Sequence, residues 1–324
     1  MGAGVGSAGA GAEDAVGAGF GECVTGGSGA DSLLTGSGDD TVVGGLGDDT
    51  LDGAGGIDTA DYSAAADKVT VSLALTTAQN TNAAGTDTLL NFERLIGSDF
   101  GDRLTGSAVA DTLLGGLGVD TLNGGLGDDR IDGGDGRDTA DYGGASGGVT
   151  VSLALTGAQF TRGAGEDTLV SIENLIGSRR NDVLTGDDAA NNLRGSKGRD
   201  ALVGGAGADT LSGEAGDDSL TGGAGRDDLS GGGGADRFIF LSVTDSAVTQ
   251  SGRDRIRDFN EADGDRINLS NIDAKISTER DNALTIVASF SGAEGELTLE
   301  VDGTRTIVRG DVNGDGEADF SIEV

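Results

Sequence analysis

The stretch from Gly195 to Phe240 reads GSKGRDALV GGAGADTLS GEAGDDSLT GGAGRDDLS GGGGADRFIF and repeats every nine residues. In each of its five units, positions one and four are Gly and position six is Asp. Position eight is Leu in four units and Phe238 in the fifth. A nine-residue phase held over five units without a slip indicates a stacked repeat architecture.

The residue type at each position of the nonapeptide has a physical reason. Glycines in the first four positions allow a positive φ and a close approach of backbones. The last three residues form a very short strand with one apolar side chain facing inward. Because a lone unit buries only that side chain, units must stack on one another. Two units then make one closed coil of strand, loop, strand and loop, and the Asp residues line both edges in columns.

The pattern recurs in three blocks, separated by two inserts. Some units are degenerate, with Phe100, Val109, Arg180 and Ala189 at position four, and Asn191 replaces Asp at position six. We expect seven segments: a Gly/Ala-rich flexible leader (1–25), a first block (26–61), a first insert (62–96), a second block (97–141), a second insert (142–176), a third block (177–240) and a C-terminal cap (241–324). For the leader, an extra coil of the roll is the less favoured alternative.

The two inserts are copies of one another. DYSAAADKVTVSLALTTAQ, which leads into the first, matches DYGGASGGVTVSLALTGAQ, which leads into the second. Alternating apolar and small polar residues predict three strands in each insert. We expect these strands to extend the solenoid through wider turns without metal; the alternative is a hairpin that leaves the roll. Duplication of a whole module favours a spacer or scaffold over a single active site.

The position-six aspartates are candidate metal ligands. Loops that offer only carboxylate and carbonyl oxygens suit Ca²⁺, a hard cation that takes six to eight oxygen ligands. A site needs two loops on one edge, so ligand pairs are expected two units apart, and Asn191 is expected to bind weakly or not at all. The candidates are Asp31, Asp40, Asp49, Asp58, Asp111, Asp120, Asp129, Asp138, Asp200, Asp209, Asp218, Asp227 and Asp236. The expected pairs are Asp31–Asp49, Asp40–Asp58, Asp111–Asp129, Asp120–Asp138, Asp200–Asp218, Asp209–Asp227 and Asp218–Asp236.

These units resemble the RTX, or haemolysin-type calcium-binding, nonapeptide repeat G-G-x-G-x-D-x-apolar-x. The resemblance implies a right-handed parallel β-roll, or β-helix solenoid, that holds each Ca²⁺ between successive loops of one edge. The run SVTDS, DRIRDFN, DRINLSNIDA and DVNGDGEADFSIEV resembles the C-terminal region of serralysin-type proteases. In that family the extreme C-terminus is an uncleaved type I secretion signal, and Asp319–Val324 fits its acidic-then-apolar pattern. The resemblance therefore implies a secreted, extracellular bacterial protein and a type I secretion machinery as partner.

Residues 241–324 are expected to form an antiparallel β cap over the open end of the roll. Its strands are expected around Asp254–Phe259, Asp265–Ser270 and four later apolar runs: 284–287, 296–300, 306–308 and 320–324. Asp311–Gly316 resembles the start of an EF-hand loop, but Ile322 stands where that loop needs Glu. A hairpin turn between two strands is the favoured interpretation.

Composition excludes several functions. The 324 residues include 63 Gly, no Pro and no His, and 56 acidic against 21 basic residues give a net charge of −35. Such a charge repels nucleic acid, and the lack of His excludes a zinc-protease motif and a Ser-His-Asp triad. Gly144–Gly148 matches G-x-S-x-G by chance in a Gly-rich chain. Cys23 is alone, so no intrachain disulfide forms.

No apolar run is long enough for a transmembrane helix, and the N-terminus lacks the basic start and apolar core of a cleaved signal peptide. Two functions remain. The first is a non-enzymatic calcium-binding exoprotein or structural module that folds on binding Ca²⁺ after export, which the start at Met1 favours. The second is the non-catalytic part of a secreted enzyme, such as a serralysin-like protease, a lipase or an alginate epimerase.

Overall fold

The structure is a computed structural model that describes residues 5–7, 14–16, 21–272 and 283–324. Every regular element in these residues is a β-strand, and most pairs are parallel, so the predicted all-β parallel roll is confirmed. The chain forms two compact units, Met1–Ser146 with Leu155–Asn174, and Gly147–Ala154 with Leu175–Val324. No described helix has the length and apolar character needed to span a membrane.

The strands are short, as a nonapeptide with a three-residue strand requires. In the leader and first block they are β1 (Val5–Ser7), β2 (Asp14–Val16), β3 (Cys23–Gly27), β4 (Ser32–Leu34), β5 (Thr41–Gly45), β6 (Thr50–Asp52) and β7 (Thr59–Asp61). The first insert has β8 (Thr70–Ser72), β9 (Gln79–Asn80), β10 (Thr86–Leu90) and β11 (Arg94–Ile96). The second block has β12 (Arg103–Thr105), β13 (Thr112–Gly118), β14 (Thr121–Asn123), β15 (Arg130–Gly136) and β16 (Thr139–Asp141).

The second half of the chain continues in the same way. The second insert has β17 (Thr150–Ser152), β18 (Gln159–Phe160), β19 (Glu166–Val170) and β20 (Asn174–Ile176). The third block has β21 (Val183–Thr185), β22 (Asn192–Arg194), β23 (Ala201–Gly207), β24 (Thr210–Ser212), β25 (Ser219–Gly225), β26 (Asp228–Ser230) and β27 (Arg237–Ile239). The C-terminal region has β28 (Asp254–Ile256), β29 (Arg266–Asn268), β30 (Thr285–Ile286), β31 (Glu296–Asp302), β32 (Arg305–Asp311) and β33 (Phe320–Glu323).

Alternate strands of each roll pair in parallel, as expected when two nonapeptides make one coil. In the first unit Val24 lies opposite Val42, and in the second Leu202 lies opposite Leu220. In both pairs the partners stand two nonapeptides apart in the chain. In the first unit the ladders run β1-β3-β5-β7-β11-β13-β15-β19-β18, β2-β4-β6-β10-β9 and β8-β12-β14-β16. In the second they run β17-β21-β23-β25-β27-β29 and β20-β22-β24-β26-β28-β33-β32-β31-β30.

The core of each roll is a column of position-eight side chains between the sheets. All of them are at most 1% exposed: Leu33, Val42, Leu51, Ala60, Leu104, Leu113, Leu122, Ile131, Ala140, Leu184, Leu193, Leu202, Leu211, Leu220, Leu229 and Phe238. Full burial of a Leu side chain contributes about 1.5–3 kcal/mol. Each coil adds only two such side chains, so apolar burial per coil is small compared with the entropy of ordering about 18 residues.

The inserts extend the roll. In the first insert, β8 pairs in parallel with β12, β10 with β6, and β11 with β7 and β13. One short antiparallel contact joins β9 to β10, where Thr86 lies opposite Asn80. The interpretation of three added solenoid strands therefore describes the structure better than a hairpin that leaves the roll.

Two segments of the proposed leader are strands. Val5 pairs with Cys23 and Asp14 with Ser32, again with the spacing of two nonapeptides. For residues 5–7 and 14–16 the less favoured alternative, an extra coil, describes the structure better than a flexible leader; residues 1–4, 8–13 and 17–20 lie outside the described residues. Apolar patterning marks this coil weakly, because the residues opposite Val24 and Leu33 are Gly6 and Ala15.

The expected antiparallel cap is only partly present in the C-terminal region. Strands β28 and β29 pair in parallel with β26 and β27 and so continue the roll. The antiparallel part is β31, β32 and β33, and β33 lies parallel to β28. Residues 273–282 of the proposed cap lie outside the described residues. The difference arises because β28 and β29 keep the register of the roll although the connections before them are longer than one nonapeptide.

The EF-hand-like stretch is a hairpin connection between β32 and β33, as expected from turn chemistry. The carboxylate of Asp311 accepts hydrogen bonds from the N–H groups of Gly314 and Gly316 at 2.7 and 2.9 Å. Asp319 accepts hydrogen bonds from the N–H groups of Val312 and Asn313. These bonds fix the conformation of the loop.

Candidate calcium sites

In the regular units the loops depend on glycines at position four. Position four has a positive φ in most regular units, for example +141° at Gly216 and +143° at Gly225. A Cβ at Gly216 would overlap the carbonyl oxygen of Gly198 one coil earlier. Position two is less demanding, since Ser196 and Glu214 occupy it at φ +79° and +72°. Position four therefore sets how closely the loops of one edge stack.

The position-six aspartates form the predicted columns. One oxygen, Oδ1, accepts the backbone N–H of the position-six residue two units earlier. All seven expected pairs are joined in this way: Asp31 to Asp49 (2.9 Å), Asp40 to Asp58 (2.8 Å), Asp111 to Asp129 (2.9 Å), Asp120 to Asp138 (2.8 Å), Asp200 to Asp218 (2.8 Å), Asp209 to Asp227 (2.9 Å) and Asp218 to Asp236 (2.8 Å). The structure thus brings every predicted pair together.

The second carboxylate oxygen of these residues is buried and lacks a hydrogen-bond partner among the described residues. This holds for the Oδ2 atoms of Asp40, Asp49, Asp58, Asp120, Asp129, Asp138, Asp200, Asp209, Asp218, Asp227 and Asp236, and for Oδ1 of Asp111. The residues themselves are at most 3% exposed. A buried, unpaired carboxylate oxygen is costly, so a repeated row of them indicates a missing partner of positive charge.

Backbone oxygens converge on the same places. A Cβ at Gly204, in position one, would overlap the Oδ2 atom of Asp209 in its own unit and would lie 2.5 Å from the carbonyl oxygen of Gly222 on the next coil. Groups of three or more Asp, Glu, His or Cys that could hold a metal do not occur among the described residues. A cation here would therefore be held by two carboxylates together with backbone carbonyl oxygens, a donor set that fits Ca²⁺.

Burial raises the pKa of these carboxyls, and in most of them the charge of neighbouring carboxylates raises it further. The ordinary value is 3.8. The pKa rises to about 6 at Asp49, Asp58, Asp209 and Asp218, to about 7 at Asp120, Asp129, Asp200 and Asp227, and to about 8 at Asp254. The backbone N–H bond to Oδ1 lowers each pKa but does not outweigh burial. The columns are thus poised to bind either protons or cations.

The inserts contribute acidic residues that the nine-residue phase did not reveal. The carboxylates of Asp87 and Asp167 accept the N–H groups of Asp49 and Asp129, each at 3.1 Å. In Asp87 the other oxygen accepts hydrogen bonds from the hydroxyl groups of Tyr62 (3.0 Å) and Thr81 (3.1 Å). Both oxygens of Asp87 thus have hydrogen-bond partners. The signal was present as a partial repeat, G-T-D-T-L at 85–89 and G-E-D-T-L at 165–169.

Three of the four degenerate units that open the second and third blocks, those of Asp102, Asp182 and Asn191, are also satisfied by the chain. Asp102 and Asp182 each accept a backbone N–H and a hydroxyl from a Ser at position two, Ser98 or Ser178. Both were left out of the predicted ligands, and their oxygens are partnered. Asn191 accepts the N–H of Asp187 through its side-chain oxygen at 2.8 Å. Where position four is not Gly, the position-six side chain accepts the N–H of position two in its own unit, and Asp111 still keeps one oxygen without a partner.

Columns of oxygen ligands on a parallel β-roll define a calcium-binding repeat protein. The profile described as "RTX calcium-binding nonapeptide repeat (4 copies)" matches residues 25–60, and "Peptidase M10 serralysin C terminal" matches residues 78–324. The chain belongs to the serralysin C-terminal family and carries RTX repeats, which bind Ca²⁺ in multiple sites. Both matched types are non-catalytic domains typical of secreted extracellular proteins.

Two solved structures are similar to parts of the chain. The solution structure of the AlgE6R2 subunit of the Azotobacter vinelandii mannuronan C5-epimerase is 32% identical, covers 44% of this chain and 81% of that chain, and has a TM-score of 0.33. The AlgE6R3 subunit of the same enzyme is 34% identical, covers 46% of this chain and 72% of that chain, and has a TM-score of 0.22. No curated protein matches the chain.

The raised pKa values predict opposite pH dependences with and without calcium. In a chelator, the folded roll binds protons more tightly than the unfolded chain, so the stability that these carboxyls contribute is fully present below about pH 4. That stability is lost as the pH rises through the folded-state values of about 6 and 7, at about 1.4 kcal/mol for each unit of pKa shift in a single group. With Ca²⁺, affinity rises over the same window, because the ligands must be deprotonated. Urea unfolding from pH 4 to 8 measures both trends, and a metal-free stability independent of pH would contradict the assignment.

Proposed function

We propose that this chain is a non-enzymatic calcium-binding module of a secreted protein, which folds when it binds Ca²⁺ outside the cell. Its ligands are thirteen of the position-six aspartates: Asp31, Asp40, Asp49, Asp58, Asp111, Asp120, Asp129, Asp138, Asp200, Asp209, Asp218, Asp227 and Asp236. Ca²⁺ would supply the positive charge that these carboxylates lack. The protein supplies the stacked loops that hold the carboxylates and the backbone carbonyls at one place.

The observation that carries this proposal is the row of buried carboxylate oxygens without hydrogen-bond partners. Without a cation, stacked carboxylates repel each other, and each costs free energy because it is removed from water. The net charge of −35 adds to that repulsion. Each coil buries few apolar side chains and must order many glycines. The free energy of calcium binding therefore becomes free energy of folding.

The C-terminal segment supports export before folding. Phe320, Ser321 and Ile322 are at most 1% exposed, and they lie in β33 between β28 and β32. A secretion machinery that recognises residues 319–324 could therefore reach them only in the unfolded chain. Extracellular calcium modules bind with dissociation constants of about 10⁻⁴ to 10⁻³ M. Low cytosolic calcium would keep the segment accessible, and calcium outside the cell would then fold the chain.

The match to the C-terminal region of peptidase M10 favours a second candidate. In this alternative the chain is the non-catalytic part of a secreted enzyme such as a serralysin-like protease, a lipase or an alginate epimerase. Both candidates assign the same calcium role to the roll and differ in what the roll carries. The DNA upstream of the Met1 codon distinguishes them, because an in-frame catalytic domain there supports the second.

A ligand substitution tests the calcium role against a matched control. Asp129 is buried with a partnerless oxygen, whereas its neighbour Asp128 is exposed and accepts the N–H of Glu166. Asp129→Asn keeps the Oδ1 acceptor but loses the charged ligand oxygen. We expect it to raise the Ca²⁺ concentration at the midpoint of folding by roughly tenfold or more.

Asp128→Asn removes the same charge from the surface and is expected to leave the midpoint within about twofold. The midpoint is measured by far-UV circular dichroism as Ca²⁺ is added to each variant. Equal midpoints for Asp129→Asn and the wild type would contradict a ligand role for the position-six aspartates. A shift of the same size in both variants would show that overall charge alone is responsible.

A further inference from the structure

Two loops of the second module carry four cations where the equivalent loops of the first module carry none. Residues 97–120 and residues 177–200 take the same places in the two copies of the duplicated module, and both open a block of nonapeptides. At four loop positions an acidic or apolar residue of the first copy has a basic counterpart in the second. The equivalent residues are Asp99 and Arg179, Phe100 and Arg180, Leu117 and Lys197, and Val119 and Arg199.

The four cations lie together on one edge of the roll. Loops 177–182 and 195–200 stack on adjacent coils, because β21 pairs in parallel with β23 and a Cβ at Gly198 would meet the backbone of Arg180. Neighbouring strands of a sheet lie about 4.7–4.9 Å apart, so basic side chains project from the edge at each step of that length. This row, the cationic edge, consists of Arg179, Arg180, Lys197 and Arg199, all of which are exposed.

The cationic edge is largely unpaired, although the chain has 56 acidic residues. Of its four members, only Arg199 forms an ion pair with another described residue, which is Asp217 on the next coil at 2.9 Å. Both partners of that pair are exposed, so it contributes little to stability. Glu214 in the same loop as Asp217 is taken up by Arg194. Unpaired cations gathered on one edge of a chain with a net charge of −35 indicate a negatively charged partner outside the chain.

The shape of the edge favours a linear polymer over a folded protein. It spans only loops 177–182 and 195–200, whereas a stable protein interface takes about 20–30 residues a side. Double-stranded nucleic acid carries one charge per about 1.7 Å, and the acidic remainder of the chain would repel it. A polyuronate, which is a polysaccharide with one carboxylate on each sugar, is less densely charged, and its sugar units have a length similar to the coil spacing. Arg side chains also suit carboxylates, which they bind in bidentate geometry.

We propose that the cationic edge is a docking site for a polyuronate chain, which runs across the stacked coils with its carboxylates on the cations of successive loops. This inference goes beyond the proposed function but rests on it in one respect. Asp200 lies in the same loop as Lys197, and Asp218 accepts its N–H group. Bound Ca²⁺ would neutralise these two carboxylates, so the edge is expected to attract an anionic polymer only in the Ca²⁺-loaded roll.

The test uses short galacturonate oligomers as the polyuronate and the full chain as the protein. Isothermal titration calorimetry at the same free Ca²⁺ concentration in both solutions measures the affinity. Lys197→Leu combined with Arg199→Val introduces the residues that the first module has at these positions, so the loops are expected to keep their conformation. We expect this pair of substitutions to weaken binding by about tenfold or more. Dextran, which is uncharged, is expected not to bind.

Arg226→Val is the matched control for Arg199→Val. Arg226 is exposed and takes the same position five of its nonapeptide. Its loop stacks on the loop that contains Gly207, which lies on the opposite edge of the roll. We expect Arg226→Val to bind the oligomers within about twofold of the wild type, whereas Arg199→Val binds them more weakly.

Far-UV circular dichroism at the same Ca²⁺ concentration shows whether each protein is folded. A wild type that does not fold with Ca²⁺ defeats the proposed function. A folded wild type that does not bind the oligomers, or a pair variant that binds them as tightly as the wild type, overturns this inference alone. Self-association of the wild type without polysaccharide, lost in the pair variant, would assign the edge to a second copy of the chain and would also overturn it.

A second measurement needs no variant. When galacturonate oligomers are added to the Ca²⁺-loaded wild type, changes in the NMR shifts of backbone amides are expected to be largest in residues 177–182 and 195–200. Added salt is expected to reverse them, because it screens exposed charges. Shift changes centred on another part of the chain would overturn the docking site.

Discussion

Removal of Ca²⁺ by a chelator at neutral pH is expected to convert the chain from a β-rich fold to a largely disordered one, and excess Ca²⁺ is expected to restore it. The reason is that each coil buries two position-eight side chains but must order about 18 residues at about 1–2 kcal/mol each for the backbone. Buried carboxylates without partners add to this cost. Far-UV circular dichroism during chelation and readdition of Ca²⁺ measures the change.

Mg²⁺ at the same concentration is the control. Mg²⁺ demands octahedral geometry and keeps several of its water molecules, whereas these sites lie in loops packed against one another. We expect little or no folding with Mg²⁺. A β spectrum that is already complete in the chelator and unchanged by Ca²⁺ would contradict calcium-coupled folding, and the inserts and C-terminal strands would then carry the fold.

Gly216→Ala is expected to destabilise the Ca²⁺-loaded protein by about 3 kcal/mol or more. Gly216 has a φ of +141°, where a residue with a Cβ is strained at a cost of about 1–3 kcal/mol. The new Cβ would also overlap the carbonyl oxygen of Gly198. Because that atom belongs to the backbone of the adjacent coil, relief of the overlap separates the two loops and disturbs the column from Asp200 to Asp218.

Gly233→Ala is the matched control. Gly233 lies in a loop of the same repeat block, two nonapeptides after that of Gly216, and a Cβ there would have no atom within 4 Å. We expect a change within about 0.5 kcal/mol. Urea unfolding at saturating Ca²⁺ compares the two variants with the wild type. Equal stabilities for Gly216→Ala and Gly233→Ala would mean that the stacked loops yield more easily than the structure indicates.

Much of the roll was predictable because its information is local. The nine-residue phase placed the apolar residue, the Asp and the glycines of each regular unit, and two units per coil predicted the register that pairs Leu202 with Leu220. All seven predicted Asp pairs are joined for the same reason. The oxygen-only donor set also favoured Ca²⁺ before any geometry was known.

The contacts that the nine-residue period did not predict have one physical cause. Parallel coils are held by backbone hydrogen bonds, which keep their register whatever the length of the connection between them. Asp87 follows Asp49 across most of an insert, and Asp254 follows Asp227 across a long excursion, yet each pair makes the contact that repeat pairs make at a spacing of two units. A fixed period could not find such partners. The leader strands were only a less favoured alternative, because Gly6 and Ala15 stand where the repeats have a large apolar residue.

The sequence by itself therefore determined the repeat, its core, its acidic columns and the class of ion that they bind. Only the tertiary structure decided which carboxylates are left without a partner. Asp87 is satisfied by Tyr62 and Thr81, and Asp102 is satisfied by Ser98, whereas Asp129 and Asp254 keep a buried oxygen without a hydrogen bond. The difference lies in side chains that reach a carboxylate from other parts of a coil, and no nine-residue pattern encodes them.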